Sequence, residues 1–130
     1  MWVGRPTLWY LIEFTRKRAE EASIAAIDQS LILQRDTIDQ ARAALDSAEA
    51  ERVRAALDRT RYAELARDAW APRQRLETAT ADAQKADASV ATAKAALASA
   101  QQQIEVLSAQ RKEAGAKLGQ AKSDARKGEG

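Results

Sequence analysis

The fold is decided by residues 76–125, which read LETATADAQKADASVATAKAALASAQQQIEVLSAQRKEAGAKLGQAKSDA. Apolar residues recur in this stretch at alternating steps of three and four, and we call them the second ladder. Its two rows are Leu76, Ala83, Val90, Leu97, Ile104, Arg111, Leu118, Ala125 and Ala79, Ala86, Ala93, Ala100, Leu107, Ala114, Ala121. A repeat that averages ~3.5 residues is typical of a left-handed coiled coil, and rows of alanine allow two helix axes to approach closely.

Three residues of this stretch depart from a regular coiled-coil sequence. Arg111 is the only charged member of the rows, and we interpret it as a long side chain that lies along the seam with its guanidinium group in water. Gly115 and Gly119 have the G-x-x-x-G spacing, but that motif carries meaning in apolar membrane helices and this helix is polar. We interpret the two glycines as weak points near the end of the helix.

A similar ladder precedes it, which we call the first ladder. Its members are Ile24, Ile27, Leu31, Gln34, Ile38, Ala41, Leu45, Ala48, Arg52, Ala55, Arg59, Tyr62 and Ala66. After Ala48 the larger apolar residues Val53, Leu57 and Leu65 leave the strict rows. This drift indicates a stutter, or a face that meets something other than the second helix.

The two ladders agree on one antiparallel register with its fold line at residue 71. Residues that fall opposite each other are Ile24 and Leu118, Leu31 and Arg111, Ile38 and Ile104, Leu45 and Leu97, and Arg52 and Val90. At the fold line the sequence is Trp70-Ala71-Pro72. Proline disfavours helix in the residue before it and suits the first turn of a following helix. The sequence therefore predicts an all-α fold, a long antiparallel two-helix coiled-coil hairpin.

This hairpin divides the chain into five predicted segments. They are an amphiphilic N-terminal segment at 1–17, a first hairpin helix at 18–69, a tip turn at 70–72, a second hairpin helix at 73–126 and a flexible end at 127–130. The apolar run of the first segment, Leu8–Ile12, is far shorter than the ~20 residues of a spanning helix. Its basic cluster follows the apolar run, unlike that of a signal peptide. A helix lead-in, a remnant of truncation and an interfacial anchor all remain open.

Composition excludes several classes of function. Lys and Arg number 21 against 19 Asp and Glu, and the two signs alternate, which is typical of a solvated helix surface rather than a nucleic-acid interface. The chain has no Cys and no His, so it lacks the thiolate and imidazole groups of most metal sites and general bases. We predict no enzyme, no catalytic residues, no cofactor, no metal and no nucleic-acid partner.

The stretch around the predicted turn resembles a known family. The run Arg61-Tyr62-Ala63-Glu64-Leu65, then Trp70-Ala71-Pro72-Arg73-Gln74 and an alanine-rich heptad helix, is similar to the α-hairpin of periplasmic adaptor proteins. These proteins are also called membrane fusion proteins, of the HlyD/EmrA/AcrA type. The resemblance covers roughly Ala22–Arg126. In that family the tip carries an arginine, a leucine four residues on and a serine seven further on; Arg61 and Leu65 match, and Pro72 stands at the serine position.

The resemblance implies a function, partners and a location. The hairpin would belong to an adaptor that links an inner-membrane transporter to a TolC-type outer-membrane channel in multidrug efflux or secretion. The tip would contact the channel through Arg61, Leu65 and Pro72, with Tyr62 and Trp70 as aromatic anchors. Several hairpins would pack side by side, and the transporter would bind through domains outside this chain. The implied location is the periplasm, associated with the inner membrane.

Two other functions stay open at this point. The first is a generic coiled-coil scaffold that oligomerises through the same heptads. The second is a membrane-surface protein that is anchored by its N-terminal segment.

Overall fold

The computed structural model describes residues 4–68 and 72–129, and these residues form two long helices. Helix α1 spans Gly4–Asp68, and helix α2 spans Pro72–Glu129. The prediction of an all-α fold is therefore confirmed. The predicted turn residues Trp70 and Ala71 lie outside the described residues, and Pro72 is the first residue of α2.

The two helices pack against each other within two units. Unit 1 combines Met1–Arg35 with Gln102–Gly130, and unit 2 consists of Asp36–Gln101. In unit 1 the early part of α1 packs with the late part of α2. In unit 2 the late part of α1 packs with the early part of α2. This is the pairing of an antiparallel helical hairpin, as the two ladders predicted.

Both helices are longer than their ladders. Helix α1 begins at Gly4 rather than at residue 18, and α2 ends at Glu129 rather than at 126. The one proline between residues 4 and 18, Pro6, does not interrupt α1. It lies in the first turn, where a backbone N–H has no intrahelical acceptor, so its missing N–H costs no hydrogen bond. The segment that we predicted at 1–17 is thus continuous with the first hairpin helix from Gly4 onward, and the segment predicted as a flexible end is helical from 127 to 129.

Hydroxyl side chains are accommodated within the helices by local hydrogen bonds. The hydroxyls of Thr60, Thr80 and Thr92 donate to carbonyl oxygens four residues earlier, over 2.8 to 3.0 Å. Such bonds satisfy a polar group that would otherwise compete with the helix for backbone partners. The many alanine, glutamine, lysine and arginine residues, which favour helix, explain why so long a chain stays helical.

The core is a thin seam of small side chains. Among the described residues, the buried apolar ones are Ala55, Ala79, Ala83, Ala86, Val90, Ala100, Ala114 and Ala121. Every described member of the second ladder is buried or half-buried except Arg111. Ala125 has no described side chain. This burial pattern agrees with rows of alanine that allow the two helix axes to approach closely.

The first ladder is right up to Ala48 and only partly right beyond it. Its members from Ile24 to Ala48 are all half-buried, but Arg52 and Arg59 are exposed. Half-buried Ala56 and Asp58 lie closer to the seam instead. An arginine in a seam of alanines would have to desolvate its guanidinium group without a partner, so the helix presents smaller residues there. Assigning Arg52 and Arg59 to the seam was wrong.

Arg111 takes part in an ion pair between the two helices of unit 1. Its Nε donates to Oδ1 of Asp28 over 2.9 Å, and the two side chains are 47% and 45% exposed. The guanidinium group stays in water, as predicted, but the carboxylate partner was not foreseen. Asp28 lies one helical turn from Leu31, the residue predicted opposite Arg111, so the contact agrees with that register to within a turn. A half-exposed pair contributes at most about 1 kcal/mol.

The two helical glycines give a direct test of what limits the stability of α2. A Cβ atom at Gly115 would lie 3.9 Å from Nη1 of Arg111, and one at Gly119 would meet nothing within 4 Å. Alanine therefore fits at both positions. We expect Gly115→Ala/Gly119→Ala to raise the free energy of unfolding by about 1 kcal/mol per site, measured by urea denaturation. Ala116→Gly, at an exposed position between them, should lower it by a similar amount, and a less stable double alanine variant would contradict the prediction.

Candidate partner-binding site

Arg61 and Leu65 lie on one exposed face near the end of α1. They are four residues apart in a helix that ends at Asp68, so their side chains are neighbours on its surface. The Arg61 side chain is 69% exposed, and Leu65 is 50% exposed. A cation and a branched apolar side chain are thus presented together. Trp70 lies outside the described residues, and the side chain of Pro72 is likewise not described.

Leu65 ends a longer exposed row, which we call the ridge. It comprises Val53, Leu57, Arg61 and Leu65, which follow one another at steps of four along α1. Val53 is 55% exposed and Leu57 is 61% exposed, so neither is used by the seam. Rows at this spacing are the ridges that interdigitate when helices pack. The drift of Val53, Leu57 and Leu65 from the rows indicates a stutter or a face that meets something other than the second helix, and the ridge is such an exposed face.

A shallow groove runs beside the ridge in unit 2. Val53 and Leu57 form part of its wall, together with Ala56 and Thr60 of α1 and with Ala83 and Asp87 of α2, and its volume is about 410 Å³. Arg52 and Arg59 also line this groove. The arginines that fail as seam residues therefore border the exposed apolar surface.

Arg61 also ends a chain of alternating charges along α1. Arg54 pairs with Glu51 and, through Nη1, with Oδ2 of Asp58 at 2.8 Å. Arg61 Nη1 lies 3.8 Å from Oδ1 of the same Asp58. These spacings of three and four residues bring opposite charges together on a helix surface. The long distance leaves the Arg61 guanidinium only loosely held.

Tyr62 faces a different environment from Arg61 and Leu65. It is half-buried and lines a groove of about 520 Å³ between the helices of unit 2. Asp58 of α1 and Gln74, Arg75, Thr78 and Asp82 of α2 also line this groove. The structure thus joins Arg61 and Leu65 on one face and places the Tyr62 ring against the polar groove.

Within residues 4–68 and 72–129 no group of His, Cys, Asp and Glu residues is arranged to hold a metal ion. Neither helix, over its described length, has a stretch long and apolar enough to cross a bilayer.

The alanine seam and the antiparallel pairing agree with a match to a family model. Residues 37–106 match the RND MFP alpha-helical hairpin domain. The chain belongs to this family. The match covers more than half of the 130 residues, and it includes all of unit 2 except Asp36. The resemblance to the hairpin of membrane fusion proteins is therefore confirmed.

The family also sets the general character of the protein. Membrane fusion proteins are periplasmic, membrane-associated adaptors that interact with transporters and outer-membrane channels, and their hairpin domain is not enzymatic. No curated protein and no solved structure matches the chain significantly.

The charge chain beside Arg61 gives a prediction about pH. The hydrogen bond from Arg54 is the largest of the effects that lower the pKa of Glu51 from its ordinary value of 4.5. The contribution of this hydrogen bond to the stability of the folded protein is present above pH 4.5 and is lost as the pH falls through the lowered pKa of Glu51. We expect Arg54→Gln to raise the pKa of Glu51, measured by NMR titration of its carboxyl carbon. Arg42→Gln, an exposed substitution elsewhere on α1, should leave it unchanged, and an equal response to both would contradict the assignment.

Proposed function

We propose that this hairpin serves an RND-type adaptor that links an inner-membrane transporter to a TolC-type outer-membrane channel, in multidrug efflux or secretion. One observation carries the proposal. Arg61 and Leu65, the two residues that match the family's tip pattern, are exposed side by side on α1 within the stretch that matches the hairpin domain. On this proposal the protein works in the periplasm in association with the inner membrane.

The chemistry of the two side chains suits docking onto a helical hairpin of a channel. The Arg61 guanidinium is exposed and lies 3.8 Å from the Asp58 carboxylate, so a channel carboxylate or carbonyl can accept its hydrogen bonds at low cost. Covering the exposed half of Leu65 contributes about 1 kcal/mol. Pro72 stands where the family has serine and has no hydroxyl to donate. The contact therefore depends on Arg61 and Leu65, with Tyr62 and Trp70 as proposed secondary anchors.

Each such contact is weak, which favours several hairpins acting together. Binding sites that are linked in one assembly gain affinity because the later contacts become intramolecular. Val53 and Leu57 lie on the same ridge as the two tip residues and are exposed. We propose that they pack against a neighbouring copy when hairpins assemble side by side.

Site-specific photocrosslinking tests the docking site. A photoreactive amino acid at position 61 or 65 should form adducts with a TolC-type channel. The same amino acid at Arg42 or Leu33, exposed residues of matched type on α1, should form none. Adducts from positions 33 and 42 without adducts from 61 and 65 would contradict the proposal.

Charge reversal measures how much Arg61 contributes. We expect Arg61→Glu to weaken channel binding at least tenfold, because it places a carboxylate where a cation is needed. Arg42→Glu makes the same charge change at an exposed site of α1 far from residue 61 in sequence, and it should change the affinity less than threefold. Equal losses in the two variants would show a general effect of charge and would contradict a specific tip contact.

A further inference from the structure

The stretch Leu8–Phe14 exposes an unusual amount of apolar surface. Its exposed fractions are 60% for Leu8, 36% for Trp9, 55% for Tyr10, 55% for Leu11, 62% for Ile12 and 58% for Phe14. These six account for half of the exposed large apolar side chains among the described residues. Consecutive helical residues point about 100° apart, so this surface extends around the helix and does not form a single stripe.

Polar groups within this stretch are withdrawn from its surface. Glu13, its only acidic residue, is half-buried. The hydroxyl of Thr15, the next residue after the stretch, donates to the carbonyl oxygens of Leu11 and Ile12 over 2.8 and 2.9 Å. What faces outward is therefore almost entirely hydrocarbon and aromatic ring.

Basic side chains from both helices accompany the apolar stretch. Arg16, Lys17 and Arg18 follow it on α1 and are exposed, and the guanidinium carbon of Arg18 lies 5.5 Å from the centre of the Phe14 ring. In unit 1 the late part of α2 packs with the early part of α1. The last turns of this late part carry the exposed basic residues Lys122, Arg126 and Lys127. This part of unit 1 thus combines an apolar surface with cations on both helices.

We propose that this part of unit 1 binds the surface of an anionic lipid bilayer. Large apolar side chains around a helix favour burial, and six of them in this stretch remain 36% to 62% exposed. Trp and Tyr side chains favour the interface between hydrocarbon and headgroups, where Trp9 and Tyr10 would lie. Lys and Arg next to an interfacial helix pair with anionic headgroups.

The dimensions fit the interface rather than the whole bilayer. Seven helical residues extend about 10 Å, far less than the ~30 Å of the hydrocarbon core, so the stretch can enter the interface but cannot cross the bilayer. A second copy of the chain fits less well. A helical seam needs one apolar stripe, and pairing two copies here would bring their basic residues together. The bilayer is therefore the partner to which the proposal commits, and it does not depend on tip docking.

Vesicle flotation with the 130-residue chain tests the proposal. Vesicles of phosphatidylcholine with about 30% phosphatidylglycerol should carry the protein upward at low salt, and vesicles of phosphatidylcholine alone should bind it about 100-fold less. Arg16→Gln/Lys17→Gln/Arg18→Gln should produce a loss of the same order, because each cation near an anionic surface contributes roughly fivefold. Failure of the unaltered protein to float with the anionic vesicles, or equal flotation with both kinds, overturns the proposal.

A matched pair of variants separates this surface from general hydrophobicity. Leu11→Glu/Ile12→Glu should lower partitioning at least tenfold. Ile32→Glu/Leu33→Glu alters two adjacent residues of α1 that are 49% and 65% exposed, and it should change partitioning less than twofold. Equal losses of partitioning in the two variants overturn the assignment of lipid binding to Leu8–Phe14.

Two further measurements distinguish lipid binding from misfolding and from self-association. Circular dichroism should show unchanged helix content, and the milder Leu11→Gln/Ile12→Gln should also reduce partitioning. In sedimentation without vesicles, Leu11→Glu/Ile12→Glu should leave the oligomeric state unchanged. If the unaltered protein self-associates and this variant does not, the surface binds a second copy and the lipid proposal is wrong.

Discussion

The close approach of two helices along a row of alanines is the constraint on which the other features of this molecule depend. Alanine removes little apolar area from water, so each seam residue contributes little and the helices must be stable largely through their own backbone bonds and propensities. It also leaves no place for a charged group without a partner. Arg52 and Arg59 are accordingly turned out of the seam, and Arg111 keeps its place with half of its side chain in water and a carboxylate beside it.

The same constraint produces the candidate site. Because small residues suffice to hold the helices together in unit 2, the larger apolar residues of α1 are free to face outward as the ridge. Leu65 and Arg61 are exposed for this reason. A long hairpin with a thin core and exposed side chains along its surface suits an adaptor, which acts by binding other proteins.

Most of the fold could be predicted from the sequence because heptad spacing depends only on which residues are apolar. The second ladder is correct wherever its side chains are described. Arg61 and Leu65 were selected differently, through the resemblance to the tip pattern of a known family. The seam beyond Ala48 could not be predicted, because two arginines occupy heptad positions and only the cost of burying them shows that they face water. Asp28 was missed because an ion pair between helices depends on side-chain reach. The drift of Val53, Leu57 and Leu65 did indicate a possible second face, but their spacing of four was not used to define it.

The alanines of α1 and α2 pack within one chain in antiparallel register, and every other feature rests on that packing. Nuclear Overhauser effects between alanine methyl groups test this most directly, since Ala55, Ala83 and Ala86 form one buried cluster. We predict effects from the Ala55 methyl to those of Ala83 and Ala86, with undiminished intensity per labelled chain when labelled protein is diluted with unlabelled protein. Effects that disappear on dilution would mean that the helices belong to different chains, and their absence in all samples would mean that the seam does not form.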